Sequence, residues 1–206
     1  MAGPTPARAW QEMLEGNDRF VAGEPRHPRQ NVERRAELAL KQSPHAALFG
    51  CSDSRLAAEI IFDLGIGDLF VVRNAGQVIS DSVLGSLEYA VGVLEVPLIL
   101  VLGHDECGAV RAAIDSEEPG AQPLPPHING IIEKIVPAVR RVKAASPEHI
   151  ESQDVGREHL RDTIAELLDS SELIRDAVAA GTLAVVGANY RLLEGRAVPD
   201  VIVGNV

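Results

Sequence analysis

Val96-Pro97-Leu98-Ile99-Leu100-Val101-Leu102 runs directly into Gly103-His104-Asp105-Glu106-Cys107-Gly108. The first part is seven residues with no charge, and six of them are apolar and strand-forming. Such an unbroken apolar run reads as a strand buried on both faces, the pattern of a parallel sheet covered by helices. The second part places an imidazole and a thiol three residues apart, just past the strand. In open parallel sheets, ligands bind beyond the carboxyl ends of the strands. One stretch therefore suggests both an architecture and a place for chemistry.

Working outward, the alternation continues. Ala46-Ala47-Leu48-Phe49-Gly50 reads as another buried strand, and Asp68-Leu69-Phe70-Val71-Val72-Arg73 as a further one. Thr182 to Ala188 makes a fourth, and Ala197 to Val203 an added edge strand after a turn at Gly195. Helices are expected over Ala7–Val21, Val32–Gln42, Leu56–Asp63, Ser80–Leu94, Ile128–Ala144 and Glu148–Ala179. Breaks are expected near Pro147 and at Asp169-Ser170-Ser171, with an exposed loop over Glu117–Pro126. Strand–helix alternation gives an α/β fold with a mainly parallel sheet flanked by helices. We read residues 1–206 as a single domain, with 1–31 an N-terminal helical arm that packs on its own domain or on a partner subunit.

Composition narrows the function. The chain has 206 residues, 46% hydrophobic, so it can bury a real core. Aromatics are 3% and the formal net charge is −11, without a basic run. Such a chain offers nucleic acid neither a stacking platform nor a positive surface. No apolar run reaches the roughly 20 residues of a membrane span, and the first ten residues lack a secretory pattern. A reducing cytoplasmic setting is expected, where two cysteines are better suited to metal than to a disulfide.

Those two cysteines are Cys51, directly after the first strand in Cys51-Ser52-Asp53-Ser54-Arg55, and Cys107. With His104 they form two thiolates and one imidazole, a donor set that suits zinc. Three protein ligands leave a fourth corner open, as catalytic zinc requires, whereas closed structural sites take four Cys or His ligands. A redox pair lacks the C-x-x-C spacing. A thiolate phosphatase lacks a glycine-rich anion loop leading from Cys51. Gly103 and Gly108 are expected to permit the sharp turn. Asp53 has two possible states: bound to the metal, or held off it by the Arg55 fork.

CSDSR (Cys51–Arg55), FVVRNAG (Phe70–Gly76), GSLEYAV (Gly85–Val91) and GHDECGAV (Gly103–Val110), in this order, resemble the β-class carbonic anhydrases. The likeness extends from the LEGNDRFV arm (Leu14–Val21) to Tyr190. The resemblance implies a Zn2+ cofactor on Cys51, His104 and Cys107, with Asp53 and Arg55 as a catalytic dyad. It implies carbon dioxide hydration by zinc-bound hydroxide, with Asp53 as fourth ligand in a closed state. It further implies a substrate pocket of Gln42, Phe70, Ala75, Tyr89 and Gly108, partly supplied by a neighbouring subunit. A homodimer or homotetramer follows. Some relatives carry an inhibitory bicarbonate site of tryptophan, arginine and tyrosine. Arg73 and Tyr190 match two of these, but Leu48 replaces the tryptophan.

Other relatives hydrolyse carbon disulfide or carbonyl sulfide behind extra tail or loop segments, and no such gate is expected before Val206. A non-catalytic bicarbonate sensor on the same zinc is the third reading, disfavoured by the presence of both Asp53 and Arg55. The remaining histidines, His27, His45, His127, His149 and His159, are proton-shuttle candidates by type only and are expected at the surface.

Overall fold

The computed structural model describes residues 4–146 and 149–206. Among the described residues, five strands form one sheet in the order β2-β1-β3-β4-β5. β1 (Ala46–Cys51), β2 (Leu69–Asn74), β3 (Leu98–His104) and β4 (Ala184–Arg191) are parallel, and β5 (Arg196–Val203) returns antiparallel to β4. Every residue of β1 and β3 is buried, whereas edge strand β2 alternates between half-buried and exposed positions.

The period of two along the central strands divides the core into two layers. Ala46, Leu48, Leu98, Leu100 and Leu102 point to one face. There they meet α1 (Pro6–Ala22), α3 (Ala58–Ile61), α5 (Gly108–Ser116), α6 (Pro126–Ile132) and α7 (Val136–Ala145). Ala47, Phe49, Ile99 and Val101 point to the other, against α4 (Asp81–Gly92), α8 (Ser152–Ser170) and α9 (Glu172–Ala179). Helices cover both faces, as a parallel sheet requires. No helix among the described residues is long and apolar enough to cross a membrane.

The arm packs on its own chain. Thr5 caps α1 by accepting from the Arg8 N–H, Pro6 opens it, and left-handed Gly23 closes it. Trp10 and Met13 enter the core, and Asn17 fastens the helix at three points. Its amide donates to the Ile61 and Gly195 carbonyls at 3.1 and 2.8 Å and accepts from the Ala197 N–H at 2.9 Å.

Several boundaries differ from the sequence reading. α2 covers only Val32–Glu37 and buries nothing, so no tertiary contact extends it to Gln42. Ile128–Ala144 divides into α6 and α7, because Pro137 lies in the first turn of a new helix. α5 was not anticipated: it is only nine residues long, and it begins where the motif ends. α3 is shorter than Leu56–Asp63. Asp63 sits at φ 44° beyond it, its carboxylate accepting from the Arg26 and His27 N–H groups. The break at Ser171 is present, while Pro147 and Glu148 lie outside the described residues.

Candidate metal centre

β1 and β3 are neighbours, with Gly50 opposite Leu102. The chain moves from β1 outward to β2, then crosses back to β3 on the other side. This reversal is the topological switch point, where a crevice opens beyond the strand ends. Cys51 and His104 are the last residues of these two strands, rather than the first residues after them as the sequence suggested.

Cys107 is brought back to them by the turn Asp105-Glu106. The bend is carried by Glu106 at φ 50°, not by the flanking glycines. Gly103 serves close packing instead, since a Cβ there would stand 2.9 Å from Asn189 Oδ1. Gly108 simply opens α5 and faces free space. The Asp105 N–H donates to the Tyr190 carbonyl at 3.1 Å, and its carboxylate accepts from the Leu192 N–H at 3.0 Å, so β4 anchors the turn.

The ligand atoms of Cys51, His104 and Cys107 all lie within 4.8 Å of one another, and all three residues are buried. Two ligands on one tetrahedral zinc stand about 3.5–3.8 Å apart, so this spacing fits a single ion. His104 Nδ1 donates to the Asp105 carbonyl at 2.8 Å, because a carbonyl can only accept. Its Nε2 lone pair is buried and has no partner among the described residues. A buried acceptor beside two thiols is the arrangement a soft cation satisfies.

The two thiols are electrically coupled. The hydrogen bond with Cys107, helped by the Gly76 and Asp53 N–H groups and opposed by burial, lowers the pKa of Cys51 well below that of an ordinary thiol. The same bond, then burial and the charge on Cys51, raise that of Cys107. Cys51 therefore ionises first, and a cation would draw the second proton off. The Gly76 N–H reaches Cys51 Sγ at 3.3 Å.

Asp53 lies beside this cluster, with both carboxylate oxygens engaged by Arg55. Nε donates to Oδ1 at 2.9 Å and Nη2 to Oδ2 at 2.7 Å, with the Arg55 backbone N–H also on Oδ1 at 2.9 Å. The guanidinium holds the Asp53 carboxyl well below the usual carboxylate range. Arg55 also donates to the Glu106 carbonyl at 3.2 Å and so ties the two loops together.

Arg73 was considered only for an inhibitory pocket, but here it supports the first loop. It donates to the Cys51 carbonyl at 2.8 Å and the Asp53 carbonyl at 2.6 Å. The contact depends on the β1–β2 register, which sets Arg73 opposite Gly50, so the local sequence carried no signal for it. Tyr190 and Leu48 are both buried.

The remaining pocket residues divide into two groups. Ala75 and Gly108 flank the cluster, one beside Gly76 and the other beside Cys107. Gln42 is exposed before β1. Phe70 is half-buried on β2, 6.1 Å from the ring of Tyr89, which is 45% exposed on α4. Phe70 pairs with Ala47 and Asn74 with Cys51, so Phe70 sits four residues, about 13 Å, down the sheet from the cluster. Within one chain Phe70 and Tyr89 stand away from the metal end of the sheet.

Two histidines differ from their expected surface setting. His159 is 2% exposed, and His45 is paired with Glu12. A cleft of about 430 Å³ between α7 and α8 is lined by Arg141, Arg157 and Arg161. Their guanidiniums are paired with Asp162, Asp154 and Asp200, and the cleft shares no residue with the cysteine–histidine cluster.

A doubly covered parallel sheet with a Cys2His cluster at its switch point defines an α/β protein whose site can hold a catalytic metal. The family model described as carbonic anhydrase matches residues 46–197, and the chain belongs to that family, in its β class. It is thus an enzyme by family. Carbonic anhydrase 2 of Mycobacterium tuberculosis is 48% identical over 209 residues, covering 100% of this chain and 98% of its own length. The carbonic anhydrase of Mycolicibacterium smegmatis is 47% identical over 95% of this chain and 94% of its own. Among solved structures, a tetrameric β-carbonic anhydrase from Sordaria macrospora superposes with a TM-score of 0.70 at 26% identity, over 92% of this chain and 95% of its own. The Coccomyxa β-carbonic anhydrase solved with acetazolamide gives 0.67 at 25%, over 94% and 82%.

Proposed function

We propose that this protein interconverts carbon dioxide and water with bicarbonate and a proton, using Zn2+ held by Cys51, His104 and Cys107. The observation that carries this reading is the convergence of three soft donor atoms within 4.8 Å, beside a carboxylate already committed to an arginine. A zinc ion bound there would act as a Lewis acid, lowering the pKa of water to about 7 and so supplying a nucleophile at neutral pH.

The chain's own residues then have distinct tasks. Asp53 accepts a hydrogen bond from the attacking oxygen and aims its remaining lone pair at carbon dioxide. Arg55 keeps Asp53 ionised and turned from the metal. Arg73 fixes the loop that carries both. In a closed state Asp53 would leave Arg55 and, with Cys51, His104 and Cys107, help to hold the metal. Ala75 supplies a small apolar wall, and the Gly108 N–H, at the start of α5, meets developing negative charge.

Gln42, Phe70 and Tyr89 complete the pocket from a second copy of the chain. The 13 Å offset of Phe70 supports this, as does the outer edge of β2, which pairs only with β1 among the described residues and is suited to association. A homodimer, or a homotetramer as in the Sordaria relative, is the proposed assembly, and the cytoplasm its proposed compartment. Stopped-flow hydration of carbon dioxide tests the reading. Zinc-loaded parent should be active, and Asp53→Ala should lose most turnover while keeping its zinc. An Asp53→Ala enzyme turning over at the parent rate would remove the dyad from the mechanism.

A further inference from the structure

α8 lies on the opposite face of the sheet from the arm and makes a contact that the proposed mechanism does not use. His159, on its second turn, is buried, and its Nε2 stands 2.7 Å from the Gly76 carbonyl. A carbonyl only accepts, so Nε2 carries the proton and the ring donates. Burial lowers the pKa of His159, which keeps the ring neutral in this tautomer. Its Nδ1 has no partner among the described residues. One turn later Thr163 Oγ1 lies 3.4 Å from the next carbonyl, that of Gln77. The single Thr163 hydroxyl proton goes to the nearer His159 carbonyl at 2.8 Å, so it is the His159 ring that holds the turn from α8.

That turn needs a grip. Ala75–Gln77 is a single 3-10 turn in which Gly76 has φ 74° and Gln77 has φ 40°. A left-handed glutamine is uncommon and persists only where its surroundings over-determine it. The N–H at the other side of the Gly76 Cα is the one that reaches Cys51 Sγ. Fixing the Gly76 carbonyl therefore fixes the aim of the Gly76 N–H.

We propose that His159 is a positioning residue, which holds the Gly76 turn from α8 so that the Gly76 N–H stays on the Cys51 sulfur. Two thiolates push charge onto a metal and weaken it as an acid. An N–H donated to one sulfur draws some of that charge back, and such outer contacts tune the metal. The inference rests on the metal reading and extends it to a residue on the far side of the sheet.

The test uses the full chain loaded with an NMR-active cadmium isotope, whose spin couples to an amide proton through an N–H···S–Cd contact. The parent should bind one cadmium per chain and show coupling at the Gly76 amide. His159→Leu should lose that coupling and still bind cadmium. His159→Gln, whose side-chain amide reaches as far as Nε2, should retain it. A merely space-filling histidine predicts equal coupling in His159→Leu and the parent, and that result would overturn the proposal. So would a parent that binds cadmium but shows no coupling at Gly76. Should His159→Leu fail to fold, His159→Asn carries the same test, because its amide is too short to reach the carbonyl. Failure of the parent to bind cadmium would be read first, from stoichiometry, and would sink the metal reading together with this one.

Discussion

Gly76→Ala tests how the turn beneath Cys51 is built. At φ 74° a residue with a Cβ is strained, at about 1–2 kcal/mol. The added methyl would also stand 2.9 Å from Ala109 Cβ and 3.1 Å from Ile135 Cδ1. Neither neighbour can withdraw freely, since Ile135 is fully buried and Ala109 lies in the first turn of α5. Overpacking of this kind costs about 1–3 kcal/mol. Together these give about 2–5 kcal/mol, and for a chain of this length each kcal/mol lowers Tm by about 2–4 °C. Thermal unfolding of Gly76→Ala should therefore fall by roughly 5–15 °C. Any relief moves the Gly76 N–H from Cys51, so the variant should also release metal to a chelator faster. Gly130→Ala is the control: the residue is exposed on α6, has open space around it, and should gain up to about 1 kcal/mol. A Gly76→Ala protein melting within about 2 °C of the parent would refute the packing argument.

Asn17→Ala removes three buried or half-buried hydrogen bonds of the arm and leaves their partners unmet. At about 1 kcal/mol per bond, with some return from water, denaturant unfolding should show a loss of about 2–4 kcal/mol. Arg73→Met frees the Cys51 and Asp53 carbonyls, and stopped-flow assay should find kcat reduced about tenfold or more with zinc content unchanged. Glu12 and His45 give a pH signature. Their mutual hydrogen bond raises the His45 pKa and lowers that of Glu12. The His45 contribution is full below its ordinary pKa of 6.5 and fades as pH rises through the raised value. The Glu12 contribution is full above 4.5 and fades as pH falls through the lowered one. The Tm difference between parent and Glu12→Gln should accordingly be largest at about pH 5–6 and shrink toward both extremes.

The sheet was legible because β1 and β3 are apolar without interruption, which only a doubly covered strand tolerates. The metal cluster was legible because Cys51 and His104 fall at the ends of such strands and Cys107 follows His104 by three residues. What the sequence concealed was tertiary. Nothing local shows that Arg73 reaches across to the Cys51–Asp53 loop, because that contact depends on the β1–β2 register. Nothing local shows that His159 is buried, since its helix also carries Arg157, Arg161 and Asp162 on the exposed side. The turn at Glu106 was assigned to its glycines because glycine is the usual left-handed residue, whereas here β4 holds the strained geometry through Asp105. The Ile128–Ala144 boundary failed because apolar periodicity outweighed Pro137 in the reading, and in the chain the proline prevailed.

X-ray absorption at the zinc edge is the most direct test of the whole account. Protein loaded with one zinc per chain should show two sulfur neighbours at about 2.3 Å and one imidazole nitrogen at about 2.0–2.1 Å, with a lighter atom completing the shell. A shell without sulfur, or a chain that retains no zinc at all, would contradict it.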